Sequence, residues 1–381
     1  MKPKGQTLWG LTLLLEATRR AAYPGSMFRR VLIASVVLLS FVAATSRASP
    51  TSISPCRQVS QPIWSPDGTQ IAYYGRRWPP PTGHRNPNDL LQALCTANAE
   101  GTNTQPLRYT VCSGKCPDPP NQLAWLPSNR LLVLRDGAIL RFAPGSKPRK
   151  IARGINDFSF VTNPTGTRIA VGRGSPSCLS CSGPVTILNA QSGALVGKVG
   201  GKRLYNVDPS LSADGSKVVF ERNASNDSGK TFGIWTAKTD GSNLRRLVRV
   251  GQHPLWSPKV GKVAYVALPG KSVALRLISA VGGKSRALVP RRVENVFGWS
   301  PNGKYIAYET GTGTLGKLAV VDVATGKVRS LLQLKYAPTA AWSPDSSELV
   351  ANSVPRSQKC WSTWRVPVDG SKPTLISSCT S

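Results

Sequence analysis

Short apolar runs alternate with polar positions along most of this chain, and proline, glycine and small polar residues break them at close intervals. Gln-Pro-Ile-Trp64, Ile71-Ala-Tyr-Tyr74 and Tyr305-Ile-Ala-Tyr308 are rich in β-branched and aromatic residues and predict strands. Between such runs stands a recurring phrase. It reads Trp64-Ser-Pro-Asp-Gly-Thr-Gln-Ile-Ala, and returns at Trp256, Trp299 and Trp342, with a degenerate copy at Leu211-Ser-Ala-Asp-Gly. Thr162-Asn-Pro-Thr-Gly and Trp125-Leu-Pro-Ser-Asn fit the same frame more loosely. The third positions are 66, 127, 164, 213, 258, 301 and 344, and an aliphatic residue follows five places after each. Proline presets φ and Gly or Asn accepts positive φ, so the phrase predicts a tight turn between two strands.

Each unit then carries a second hairpin around a small-polar turn, as in Ile234-Trp-Thr-Ala-Lys-Thr-Asp-Gly-Ser-Asn-Leu. Four strands in about 45 residues, repeated along the chain, are the blade of a β-propeller. The expected fold is therefore all-β, a single propeller of four-stranded antiparallel blades. Seven blades account for residues 49–381, with six as the alternative. The 35 Gly and 31 Pro agree with frequent turns and argue against long helices.

The Trp-Ser-Pro-Asp-Gly phrase and its following hairpin resemble the WD40-like repeat of TolB-type β-propellers, over about residues 55–381. No Trp-Asp dipeptide occurs, which separates the chain from true WD40 repeats. The resemblance implies a secreted or periplasmic propeller used for protein contacts. It does not imply a Tol-system role, for which blade count and length do not fit.

The first 48 residues are expected to be a targeting region. Arg29-Arg30, the apolar run Val31–Ala44 and small residues at Ser46 and Ala48 compose a signal peptide over 27–48, cleaved after Ala48. Residues 1–26 read as an upstream extension. The processed chain is then expected to keep no transmembrane anchor and to be monomeric, in the periplasm or outside the cell.

An exported chain with eight cysteines predicts disulfides. Cys360 with Cys379 and Cys95 with Cys112 flank hairpin turns and are expected to pair across them. Cys56 with Cys116 and Cys178 with Cys181 are the remaining pairs. A zinc site from Cys112, Cys116, Cys178 and Cys181 has the right ligand type but the wrong compartment.

Catalytic motifs are thin. Gly311-Thr-Gly-Thr-Leu-Gly316-Lys317 imitates a phosphate loop, yet it falls in the second loop of a blade and lacks the strand-to-helix setting. No G-x-S-x-G elbow is present. Of the two histidines, His253 shares its repeat position with Gln61 and reads as a strand residue, and His84 stands in a loop without partners. The expectation is a non-enzymatic protein with no catalytic residues, metal or cofactor. A polysaccharide-degrading propeller is the least favoured reading.

The longest insertions lie between the second and third strands of blades, on one face. There Arg76, Arg77, Trp78, His84 and Arg85 form the best candidate binding cluster, cations beside an aromatic. A protein partner in the envelope or outside the cell is expected, with an anionic polymer or polysaccharide as the alternative. The net charge is +31, and removing residues 1–48 leaves +25. Seventeen Lys and Arg, and no Asp or Glu, occupy the outermost-strand windows 146–153, 198–203, 245–249, 284–292 and 327–335. Charge there blocks edge-to-edge pairing of strands, so the excess does not specify nucleic acid.

Overall fold

The computed structural model describes Cys56 and residues 60–377. Segments 78–89, 113–121, 156–157, 174–181, 224–230, 268–272, 313–314, 335–338 and 355–361, with a few isolated positions, lie outside the described residues. Twenty-eight strands form seven four-stranded antiparallel sheets. The propeller of seven blades is the architecture that the repeat frame predicts. No helix among the described residues is long and apolar enough to cross a membrane. The targeting region 1–48 lies outside the described residues.

Every blade is made of four strands consecutive in sequence, from β1 (Ser60–Trp64), β2 (Gln70–Arg77), β3 (Leu90–Asn98) and β4 (Gln105–Cys112) in blade 1 to β25 (Thr339–Trp342), β26 (Glu348–Ser353), β27 (Ser362–Pro367) and β28 (Thr374–Ser377) in blade 7. Among the described strands none is shared across the ring closure. Instead β1 packs directly on β25 and β26. The core is correspondingly divided into seven clusters, one for each pair of adjacent blades. Ala307, Leu318 and Val320 of blade 6 meet Leu349, Ala351 and Val366 of blade 7, and Tyr73 and Ala93 of blade 1 meet Val350 across the seam. Alternation along each strand makes this possible, because both faces of a blade are buried and successive side chains serve opposite neighbours.

The repeated phrase has a dual role. Within the turn, Ser65 Oγ donates to Asp67 Oδ1 (2.6 Å) and accepts from the Gln70 amide (2.9 Å). The same pattern returns at Ser212, Ser300 and Ser343. These bonds hold the Asp67 and Asp214 carboxyls below the usual carboxylate range. Gly68 takes φ 72°, which its missing Cβ allows. Between blades, the tryptophan indole reaches the preceding inner strand. Trp125 Nε1 donates to Ile63 O (3.4 Å), Trp299 Nε1 to Leu255 O (3.1 Å) and Trp342 Nε1 to Gly298 O (3.1 Å).

The outer strands carry a second stitch. Arg245 Nη2 donates to Ala280 O (2.7 Å), Arg286 Nη2 to Val323 O and Arg329 Nη1 to Val368 O, each a carbonyl of the next blade. Part of the basic rim is thus bonded across blade interfaces, beyond the edge protection expected of it.

One disulfide is described, between Cys56 and Cys95, with Cα atoms 5.9 Å apart. It corrects two expected pairings, Cys95 with Cys112 and Cys56 with Cys116. In the β3–β4 ladder Cys95 stands opposite Pro106, and Cys112 stands opposite Leu90, so the two cysteines are not cross-strand neighbours. Cys116, Cys178, Cys181, Cys360 and Cys379 lie outside the described residues.

Candidate functional site

The connections at the two ends of the ring differ. First-to-second strand turns have five residues in six blades, whereas second-to-third strand connections range from two residues in blades 2 and 6 to twelve in blade 1. At the short-turn end, a cavity of about 550 Å³ is ringed by the repeat tryptophans and prolines, including Trp64, Trp256, Trp299 and Pro301. Several of those indoles are engaged with carbonyls of the neighbouring blade, so this mouth is built as structure.

The opposite end has a different character. A cavity of about 370 Å³ opens there against the inner strands, lined by Asp208, Gln252, His253, Glu294 and Asn295 among others. Its geometry begins with bulges. In β13 (Tyr205–Leu211) the pairing with β14 (Lys217–Asn223) shifts between Val207 and Ser210, and in β17 (Gln252–Trp256) the pairing with β18 (Lys262–Ala267) shifts between Gln252 and Leu255. The extra residue in each is left-handed, Asp208 at φ 47° and His253 at φ 49°. Gln61, at the same repeat position in blade 1, has φ 50°. A bulge re-aims the side chain of the inserted residue. Here it brings Asp208 Oδ2 to 2.6 Å from His253 Nδ1, across the interface of blades 4 and 5.

Glu221 completes the group. It lies in β14 opposite Val207, is 3% exposed, and accepts a hydrogen bond from the His253 backbone amide at Oε2 (3.2 Å). Ligand atoms of Asp208, Glu221 and His253 all lie within 4.8 Å of one another. Burial, reinforced by the Asp208 charge, pushes the Glu221 carboxyl up to about 7. The hydrogen bond to Asp208 raises the His253 imidazole. Arg222, beside Glu221 in sequence, is engaged elsewhere: its Nε donates to Asn206 Oδ1 (3.1 Å) and its guanidinium lies 4.1 Å from the Trp235 ring centre. Glu309 occupies the Glu221 position of the repeat two blades on, and burial together with Glu294 raises it as well.

Sequence reasoning missed this group. His253 does sit in a strand, as its repeat position predicts, but at a bulge that turns it toward a carboxylate. The usable signal was in the frame itself, which places Asp208 and His253 at one repeat position in successive blades. Of the predicted cluster, Arg76 and Arg77 end β2, with backbones opposite Gln92 and Leu91, while Trp78, His84 and Arg85 lie outside the described residues. The imitation phosphate loop is a β-hairpin, with Gly311 opposite Gly316.

No family model matches the chain, and no curated protein matches it in sequence. Solved structures do. An oligogalacturonate lyase from Vibrio parahaemolyticus aligns over 84% of this chain and 92% of its own, at 13% identity and a TM-score of 0.61. The β-propeller domain of the Trilobed protease from Pyrococcus furiosus, described as having an open velcro topology, covers 85% and 99% at 9% identity and 0.59. A puromycin-hydrolysing peptidase from Mycobacterium tuberculosis covers 85% of this chain and 54% of that one, at 13% identity and 0.58. The likeness is one of fold. It agrees with the propeller that the TolB-type repeat resemblance implies.

Proposed function

We propose that the chain is an exported, non-enzymatic recognition propeller that binds a protein partner at its loop-bearing end. One observation carries this reading: the two ends of the ring are built to different rules, turns of three to six residues at one and second-to-third strand connections of two to twelve residues at the other. Variation confined to one end of a rigid repeat scaffold is the pattern of a binding surface. Arg76 and Arg77 stand where the longest of those connections leaves the sheet. The Cys56–Cys95 disulfide fits an oxidising compartment.

The test is capture of envelope and extracellular proteins by the folded chain at low and high salt, beside the variant Arg76→Ala/Arg77→Ala/Arg85→Ala. Retention of a discrete protein through high salt, lost in the variant, supports the reading. Elution of acidic polymer alone, released steeply by salt, replaces it with the anionic-polymer reading. The charge of +25 after residue 48 favours that second reading, while the engagement of Arg245, Arg286 and Arg329 with carbonyls weighs against a free basic belt. Turnover of an anionic oligosaccharide that disappears in Glu221→Gln would favour an enzyme instead.

A further inference from the structure

The group at the loop-end cavity is unusual for this chain in its charge. The sequence carries 49 Lys and Arg against 18 Asp and Glu. Yet the charged groups that face Glu221 are Asp208 and His253. A carboxylate that is 3% exposed, set beside a second carboxylate, is costly unless a cation or enough donors compensate it. Donors do not suffice. Among the described residues Glu221 accepts one hydrogen bond, from the His253 backbone amide to Oε2. Asp208 has the His253 ring as its partner.

We propose that Asp208, Glu221 and His253 together hold one divalent metal ion of the zinc or manganese class. The donor set is one imidazole nitrogen and two carboxylates. Imidazole selects against calcium and magnesium, which prefer all-oxygen shells, and favours the later divalent ions. The three donors come from β13, β14 and β17, so the ion would bridge blades 4 and 5. Metal–ligand bonds of about 2.1 Å place tetrahedral donors about 3.4 Å apart. The present donors lie within 4.8 Å of one another. Binding therefore requires the Asp208–His253 contact to open slightly and Glu221 to close in, which are side-chain rotations. With three protein ligands, the remaining coordination position faces the cavity that Asp208 and His253 line. An ion there would keep a site for water or for an anionic group of an incoming ligand.

The experiment is calorimetric titration of the oxidised full chain, first stripped with chelator, with Zn²⁺, Mn²⁺ and Ca²⁺. One equivalent of Zn²⁺ per chain is expected, with Ca²⁺ much weaker and with proton release detected as a buffer-dependent heat. His253→Gln and Asp208→Asn should each weaken Zn²⁺ by about tenfold or more. His253 and Asp208 side chains are 62% and 40% exposed, so these variants keep the core intact even if Glu221→Gln does not fold. Absence of saturable Zn²⁺ binding overturns the proposal, and so does binding that both variants leave unchanged. The titration reads the ion alone, so its failure does not touch the partner reading, and failure of the capture experiment does not touch this one.

Discussion

Trp299 Nε1 donates a 3.1 Å hydrogen bond to the Leu255 carbonyl, joining the inner strand of blade 6 to that of blade 5. Trp64, which holds the same repeat position in blade 1, is 7% exposed, and its Nε1 has no hydrogen-bond partner among the described residues. The neighbour of Trp64 is blade 7, reached across the ring closure. There Arg365, paired with Glu348 at 2.7 Å, lies over the Trp64 ring at 5.8 Å. One residue type at one repeat position thus has a different bonding state at the closure.

Trp299→Phe should therefore cost about 1–3 kcal/mol, because it removes the indole bond to the Leu255 carbonyl and opens space. Trp64→Phe removes a buried donor that is already unpaired and should cost clearly less. Urea melts of the two variants measure the difference. Equal losses would mean that the indole bond contributes little.

Arg286→Met should destabilise the protein by about 1 kcal/mol through loss of the bond to the Val323 carbonyl in blade 6. Methionine keeps most of the apolar stem, so the change isolates the guanidinium. Lys284→Met, nearby on the same rim, should stay within about 0.5 kcal/mol. Were the rim charges only edge protection, both changes would promote aggregation equally and neither would shift the melt.

Stability of the metal-free chain should fall as pH rises from about 5 to 8. Glu221 titrates at about 7 in the folded state, above its ordinary value, because of burial and the Asp208 charge. The folded state therefore binds that proton more tightly. Its penalty grows as pH climbs from the ordinary carboxylate range and is complete above about 7. His253 is raised by its bond to Asp208, so its contribution is also full at low pH and lost as pH rises through the raised value. Both groups act in the same direction, with Glu294 adding negative charge to the same cavity. At about 1.4 kcal/mol per unit, the effect is on the order of 2 kcal/mol. Thermal unfolding with chelator, at pH 5 and pH 8, should show a smaller difference for Glu221→Gln than for the natural chain. An unchanged difference would place the titration elsewhere.

The fold was legible in the sequence because turn chemistry repeats locally. Ser, Pro, Asp and Gly act within five residues, and the aliphatic position five after the third residue marks the next strand. The site was not legible, since it depends on bulges and on contact between blades. His253 meets Asp208 only because the inner strands of blades 4 and 5 are neighbours and both carry an inserted residue. The Cys95 pairing failed for a related reason. Symmetry about the β3–β4 turn is not register, and the true partner Cys56 precedes the first strand, outside the frame.

The ring closure offers the most direct test of how blade 1 meets blade 7. Gly101, in the turn between β3 and β4, has φ 78°, and a Cβ on it would stand 1.7 Å from Ile376 Cγ2 of β28. Gly326 has nearly the same backbone, φ 72°, with nothing within 4 Å of its would-be Cβ. Gly326→Ala should thus lose only about 1 kcal/mol, the cost of a left-handed alanine. Gly101→Ala adds a collision that forces blades 1 and 7 apart, and should lose about 2–4 kcal/mol. Ile376→Ala makes room for the new methyl, so the double variant Gly101→Ala/Ile376→Ala should lose less than the sum of the singles. Denaturant melts of the four proteins supply the coupling. Additive losses would mean that the closure does not rest on this contact, and the burden would pass to the Tyr73, Ala93 and Val350 cluster beneath it.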